Sequence, residues 1–294
     1  FLLYHDGRET VAFDGRETAP ASVDERLFIK ADGKAMAFHE AVVGGRAVGV
    51  PGVVRMLEVA HAEYGRLPWA SLFEPAIRLA EDGFPVGQRL HTLLSTDPHL
   101  RKDAAAAAYF YDQDGQPLAV GHLLRNPELA SVLRRIAREG SQALYTGEIA
   151  QAIVDKVQRH PGNPGQLSMA DMAAYRPQRR TPLCSTYLPE KVVPRRAYLI
   201  CGFPPPSSGA IASAQILGIL NETEAASLPF SDPLWMHYYT EAARLAFADR
   251  AQYVADPDFV AAPAGSWKSL IGPDYLAARA RLIGPQSMQV ASPG

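Results

Sequence analysis

The chain opens Phe1-Leu2-Leu3-Tyr4-His5-Asp6-Gly7-Arg8-Glu9-Thr10-Val11-Ala12-Phe13 and continues Asp14-Gly15-Arg16-Glu17-Thr18-Ala19-Pro20. Two short apolar runs, Phe1–Tyr4 and Thr10–Phe13, flank His5-Asp6-Gly7-Arg8-Glu9, and a five-residue loop containing Asp-Gly predicts a β-hairpin. The opening on an apolar run reads as a strand entered partway, with earlier residues expected before it. The string Asp-Gly-Arg-Glu-Thr stands at 6–10 and again at 14–18. It is too short to be a structural repeat, and no solenoid period accompanies it. Only the second copy runs on into Ala19-Pro20.

Beyond this region the periodicity turns helical. Val53, Met56, Leu57, Ala60 and Tyr64 recur at helical spacing after Pro51-Gly52, and Gly65 supplies a stop. Trp69–Asp82 repeats the pattern before Gly83. Asn126-Pro127-Glu128 predicts a helix start, with a cap residue, proline at the first position and an acid in the first turn; Gly140 closes it. Glu148–Arg159, Ser168–Ala174, Ala210–Asn221, Pro233–Tyr253 and Pro273–Ile283 read as further helices, and Tyr198–Cys201 as a short strand. Helices dominate the middle with strands at either end. No linker separates them, so 1–294 is read as one domain.

Composition excludes several classes. Hydrophobic residues at 47% and charged residues at 20% match globular usage, which rules out global disorder. The formal net charge is −2 and no basic stripe gathers on one element, so nucleic acid is not expected as a partner. No apolar stretch reaches the roughly 18 residues of a membrane span; the run Ala104–Ala108 is far shorter. No basic leader precedes an apolar segment. Cys184 and Cys201 are the only cysteines; they allow one disulfide without implying it, and two independent structural thiols are the expectation. No Cys/His cluster or His-Glu-x-x-His spacing marks a metal site, and no cofactor is expected.

Several segments, in order, resemble the gamma-glutamyltranspeptidase family. Phe13–Pro20 is similar to its Arg-Glu-x-Ala-Pro segment. Val50-Pro51-Gly52, Tyr64–Trp69, Glu74–Phe84, Leu144–Ala150, Pro204–Gly209, Glu241–Arg250 and Asp256–Phe259 match further family stretches. The segment Leu188–Arg196 departs from the pattern, and the Gly-rich segment that normally precedes Phe1 is missing. The resemblance implies an α+β fold, a four-layer αββα sandwich of the N-terminal-nucleophile hydrolase type, completed by a second, small chain from the same precursor. The nucleophile would be the N-terminal threonine of that small chain, with its own amine as base, because a hydroxyl attacks poorly until a base takes its proton. No catalytic residue is then expected in this chain, and no Thr-Thr-His follows Ala291-Ser292-Pro293-Gly294. That close is what a processed large chain should show.

The resemblance implies that Arg16 grips the alpha-carboxylate of a gamma-glutamyl substrate, a task suited to a guanidinium fork. Arg8 lacks the trailing Ala-Pro and is expected to be exposed at the hairpin tip. Glu17 either orients Arg16 or forms a surface ion pair. Ser207 and Ser208, at a strand-to-helix turn, are read chiefly as helix caps and rigid loop packing. An active-site wall is the second reading, and a nucleophile the least favoured, for want of a Gly-x-Ser-x-Gly elbow. Asp249-Arg250 is read as a structural ion pair or helix-end cap, His237 as packing, and Tyr238, Tyr239, Phe247 and Tyr253 as core. The leading expectation is a gamma-glutamyl acyltransferase or hydrolase acting on glutathione-like amides, periplasmic or extracellular by family resemblance. The alternatives are a cephalosporin or glutaryl acylase of the same fold and a catalytically silent scaffold. A dimer of heterodimers is left open.

Overall fold

The structure, a computed structural model, describes residues 1–188 and 196–294. Most of the Leu188–Arg196 segment singled out above therefore lies outside the described residues. The chain starts with strands Leu2–His5 (β1) and Thr10–Asp14 (β2), then helices Phe38–Val42 (α1), Val53–Tyr64 (α2) and Glu74–Asp82 (α3). Strand Phe84–Pro85 (β3), helices Gln88–Thr96 (α4) and Ala104–Phe110 (α5), and strand Leu123–Leu124 (β4) follow. Helices Pro127–Glu139 (α6), Gln142–Tyr145 (α7), Gly147–Gln158 (α8) and Met169–Ala174 (α9) complete the middle. Last come strands Gln178–Arg180 (β5), Leu183–Tyr187 (β6) and Tyr198–Gly202 (β7), and helices Gly209–Asn221 (α10), Pro233–Tyr253 (α11) and Pro273–Ala280 (α12).

Two compact units share these elements, one of Phe1–Asp14 with Gln178–Gly294, the other of Gly15–Pro177. In the first, β1 and β2 form the expected hairpin, with Leu2 opposite Phe13 and His5 opposite Thr10; β5 adds on the far side of β2. Helices α10, α11 and α12 enclose a core of Ile219, Ala242, Leu245 and Leu276. The expectation of independent thiols fails here: Cys184 and Cys201 are joined in a disulfide. β6 and β7 pair antiparallel in a register that sets the two cysteines directly opposite, with their Cα atoms 4.0 Å apart. Spacing along the chain does not reveal such a register.

In the second unit α2, α7, α8 and α9 surround Val50, Tyr145, Val154, Leu167, Met172 and Tyr175. Fully burying each large apolar side chain contributes about 1.5–3 kcal/mol. Helix α6 begins as predicted: Asn126 Oδ1 accepts from Leu129 N at 2.8 Å, Pro127 sits in the first turn, and Gly140 ends the helix at φ +77°. At α9, Ser168 and Asp171 close a reciprocal capping box. The predicted helix over Trp69–Asp82 is instead a 3-10 segment, Trp69–Phe73, followed by α3. Pro75 explains the break, since it lacks an N–H for the carbonyl four residues back and its ring would collide there. The predicted Pro273–Ile283 helix likewise ends at Ala280.

The aromatic residues of α11 also differ from expectation. Tyr239 is 41% and Phe247 54% exposed, while the buried stripe is Glu241, Ala242, Leu245, Ala246 and Asp249. Tyr238 and Tyr253 pack against apolar cores, and His237 Nε2 bonds the Gly284 carbonyl at 2.8 Å. Among the described residues no helix is long and apolar enough to cross a membrane.

Candidate functional site

The backbone around Arg16 is fixed by close approach inside the second unit. A Cβ on Gly15 would stand 2.4 Å from Met56 Cβ, so only glycine fits. A Cβ on Gly52 would lie 2.0 Å from Tyr175 Oη and 2.4 Å from the Gly15 carbonyl oxygen. The Tyr175 hydroxyl donates to the Arg16 carbonyl at 2.8 Å, and Val50 N donates to the Thr18 carbonyl at 2.8 Å. On this immobilised loop the Arg16 side chain is half exposed, with Nε 3.8 Å from Glu17 Oε1. An exposed pair at that distance contributes little to stability, so the carboxylate of Glu17 orients the guanidinium at most weakly.

Behind the loop lies a buried cluster. Arg55, on α2, donates from Nη1 to the Tyr175 carbonyl at 2.8 Å and from Nη2 to Gln142 Oε1 at 2.9 Å. Its guanidinium sits 4.1 Å above the Tyr145 ring, which stacks on Tyr175 at 6.0 Å. Burial pushes the Arg55 guanidinium below, and the Tyr145 hydroxyl above, their ordinary values. No carboxylate lies within ion-pair distance of Arg55 among the described residues, so carbonyl, amide and ring face together satisfy the cation.

In the first unit, Asp14 ends β2. Arg180 stands opposite Ala12, on the face that Asp14 shares two residues on, and donates from Nε to Asp14 Oδ2 at 2.7 Å. The other side of its fork makes a bidentate pair with Asp258 at 3.0 and 2.7 Å. Hydrogen bonding to Asp258, with Asp14 beside it, raises the Arg180 guanidinium further and holds the Asp258 carboxyl below its ordinary value. Two segments read separately in the sequence, Phe13–Pro20 and Asp256–Phe259, are thus joined by an arginine that the reading passed over.

The Pro204–Gly209 turn corrects one expectation. Ser208 occupies the cap position of α10 but makes no side-chain cap bond; its Oγ accepts from Arg250 Nε at 2.7 Å. Asp249 and Arg250 consequently do not pair with each other. Asp249, fully buried, meets Arg279 Nη2 at 3.1 Å and accepts from Gln215 and Tyr275, each at 2.8 Å. It is a structural ion pair, as one of the two readings held, but its partner is on α12. Arg8 is exposed in the hairpin loop, as expected. Among the described residues no three His, Cys, Asp or Glu side chains cluster to hold a metal ion. The signals missed were Arg55, Tyr175 and Arg180. Arg55 stands beside the quoted Val50-Pro51-Gly52, whereas Tyr175 and Arg180 carry no local mark.

The gamma-glutamyltranspeptidase family model matches residues 1–293. The chain belongs to the gamma-glutamyltranspeptidase family. The glutathione hydrolase proenzyme of Bacillus subtilis (strain 168) is 34% identical over 287 residues, which make up 96% of this chain and 46% of that protein. The acylase ACY 1 proenzyme of Pseudomonas sp. (strain V22) is 38% identical over 226 residues, 76% of this chain and 38% of that protein. In structure, the Helicobacter pylori gamma-glutamyltranspeptidase matches with a TM-score of 0.88 at 29% identity, covering 99% of this chain and 81% of that one. The fold is therefore the α+β fold of gamma-glutamyltranspeptidases, of the N-terminal-nucleophile hydrolase class. The chain spans about half the length of the curated relatives it matches.

Proposed function

We propose that this gamma-glutamyltranspeptidase-family chain is the large-chain portion of a gamma-glutamyl acyltransferase or glutathione hydrolase. A small chain from the same precursor supplies the N-terminal threonine, whose amine takes the hydroxyl proton as the oxygen attacks the gamma-carbonyl. Donors aimed at the developing oxyanion stabilise the tetrahedral intermediate; as it collapses the amide C–N bond breaks, the threonine's ammonium returns its proton to the departing amine, and the acyl-enzyme forms. Water or an acceptor amine then releases the acyl group. Arg16 holds the substrate's alpha-carboxylate and fixes which acyl groups reach the threonine.

The observation that carries this reading is the Arg16 loop, with its backbone packed too tightly for a side chain on Gly15 or Gly52 while the guanidinium reaches solvent. With the backbone fixed before binding, only the side chain carrying the donor fork has to order when a planar carboxylate arrives. The acylase alternative is supported by the identity to the acylase proenzyme. It keeps the same arginine, since a glutaryl group carries its distal carboxylate where a gamma-glutamyl group has its alpha-carboxylate. The two readings differ only in the alpha-amine. We further assign the protein to an oxidising compartment, periplasmic or extracellular, which the Cys184–Cys201 bond supports.

Intact-mass analysis and N-terminal sequencing of the protein matured from its full precursor test the two-chain mechanism, with a smaller chain beginning in threonine as the expected result. A single active species with the mass of the uncleaved precursor would overturn it. Turnover of gamma-glutamyl, glutaryl and 4-aminobutyryl anilides then separates the substrates. Preference for gamma-glutamyl over glutaryl supports the glutathione-like class, and the reverse supports the acylase. Dialysis against a chelator is expected to leave turnover unchanged.

A further inference from the structure

The Arg16 loop is held at its carbonyl by one side chain from a distant part of the sequence. Tyr175 directly follows α9 and is nearly buried, and its hydroxyl donates to the Arg16 carbonyl at 2.8 Å. That hydroxyl occupies space a Gly52 side chain would need, where a Cβ would also meet the Gly15 carbonyl at 2.4 Å. Tyr175 is itself held at both ends. Its carbonyl accepts from Arg55 Nη1 at 2.8 Å and from Arg176 Nη1 at 2.7 Å, and its ring stacks on the fully buried Tyr145 at an interplanar angle of 11°. Arg55, lying over the Tyr145 ring, ties both tyrosines to α2.

We propose that Tyr175, braced by Arg55 and Tyr145, is a positioning residue that sets the reach of the Arg16 guanidinium and hence the recognition of the acyl group's carboxylate; this rests on the assignment of Arg16 above. Hydrophobic packing alone would be satisfied by phenylalanine at 175. The hydroxyl donates to the peptide whose side chain meets the substrate. Loss of that bond releases the Arg16 carbonyl, and the fork then samples orientations that do not match the carboxylate. The cost falls on the binding of carboxylate-bearing substrates, while chemistry at the gamma-carbonyl is untouched.

The test uses the two-chain enzyme matured from its full precursor, with gamma-glutamyl and 4-aminobutyryl anilides, the latter lacking the alpha-carboxylate. Tyr175→Phe is expected to raise KM for the gamma-glutamyl anilide by about 3- to 10-fold, the range of one net hydrogen bond, with kcat within about twofold. The 4-aminobutyryl anilide should be indifferent. Combined with Arg16→Ala, Tyr175→Phe should add no further loss, because the group it positions is gone. If Arg16→Ala is selectively damaging but Tyr175→Phe leaves KM alone, or adds in full to Arg16→Ala, the positioning role is overturned and the Arg16 assignment survives. If Tyr175→Phe lowers turnover of both substrates equally, together with the thermal midpoint, its role is structural and the proposal fails. If Arg16→Ala damages both substrates equally, the carboxylate assignment itself falls, and the role of Tyr175 with it.

Discussion

The same five residues, Asp-Gly-Arg-Glu-Thr, stand at 6–10 and 14–18 and serve different ends. In the first copy every described backbone contact is local: Asp6 Oδ1 accepts from Arg8 N and Glu9 N, each at 2.8 Å, and closes the hairpin loop. In the second, apart from the weak Arg16–Glu17 contact, the described anchors come from far along the chain. Arg180 binds Asp14, Met56 crowds Gly15, Tyr175 holds the Arg16 carbonyl and Val50 N bonds the Thr18 carbonyl. The two glycines make the point most sharply. Gly7 has φ +97° and open space around it, so its need is conformational. Gly15 needs room. An identical string is a self-contained turn in one place and a clamped platform in the other.

The largest consequence is functional. Arg16→Ala should lower kcat/KM for gamma-glutamyl substrates at least ~30-fold, the lower bound for truncating one partner of a buried charge pair, whereas Arg8→Ala should change it by less than about threefold. Arg16→Lys should recover only part, since an ammonium keeps the charge and loses the fork. Steady-state kinetics with both variants decide it. Were Arg8→Ala the damaging change, the comparison would be inverted.

Next comes stability at the two aspartates. Asp14→Ala removes one partner of a shielded arginine that retains Asp258, so a loss of about 2–3 kcal/mol is expected, read as a fall in the thermal midpoint. Asp6→Ala should lower it far less, because solvent replaces the bonds of an exposed loop. Equal shifts would erase the distinction between local and distant anchoring.

The glycines follow. Gly15→Ala overpacks against Met56 and should cost about 1–3 kcal/mol. Gly7→Ala meets no neighbour and carries only the penalty of positive φ, about 1 kcal/mol. A Met56→Ala background should relieve part of the Gly15→Ala loss and none of the Gly7→Ala loss, which thermal melts of the four variants would show.

The smallest effect is a titration. Backbone N–H donors, that of Glu9 first, hold the Asp6 carboxyl below its ordinary value. A depressed carboxyl adds stability that is present above its unfolded pKa and is lost as pH falls through the lower, folded value. Asp6 should therefore lose its turn-closing role only in acid below the usual carboxylate range. Carboxyl-detected NMR of the native protein against Asp6→Asn reads this directly, and a carboxyl titrating at the ordinary value would contradict it.

Local signals carried much of the architecture. Helix α2 follows from periodicity and Gly65, and α6 from Asn126-Pro127 and Gly140, because caps and apolar spacing act within a few residues of where they are written. The hairpin is legible for the same reason. The break at Pro75 was present in the sequence too, but the apolar period on either side masked it.

What the chain alone determined about this protein is the hairpin, most of its longer helices and its family through ordered motifs; the trailing Ala19-Pro20 singles out Arg16 over Arg8 only as a proposal. Tertiary structure alone decided the rest. It paired Cys184 with Cys201 through strand register, gave Asp249 to Arg279 instead of Arg250, turned Ser208 toward Arg250, and brought Tyr175 under the Arg16 carbonyl. Each of these joins residues from 17 to 159 positions apart. Propensity and capping are set by neighbours in sequence, whereas the partner of a buried polar group is set by which elements the core brings together.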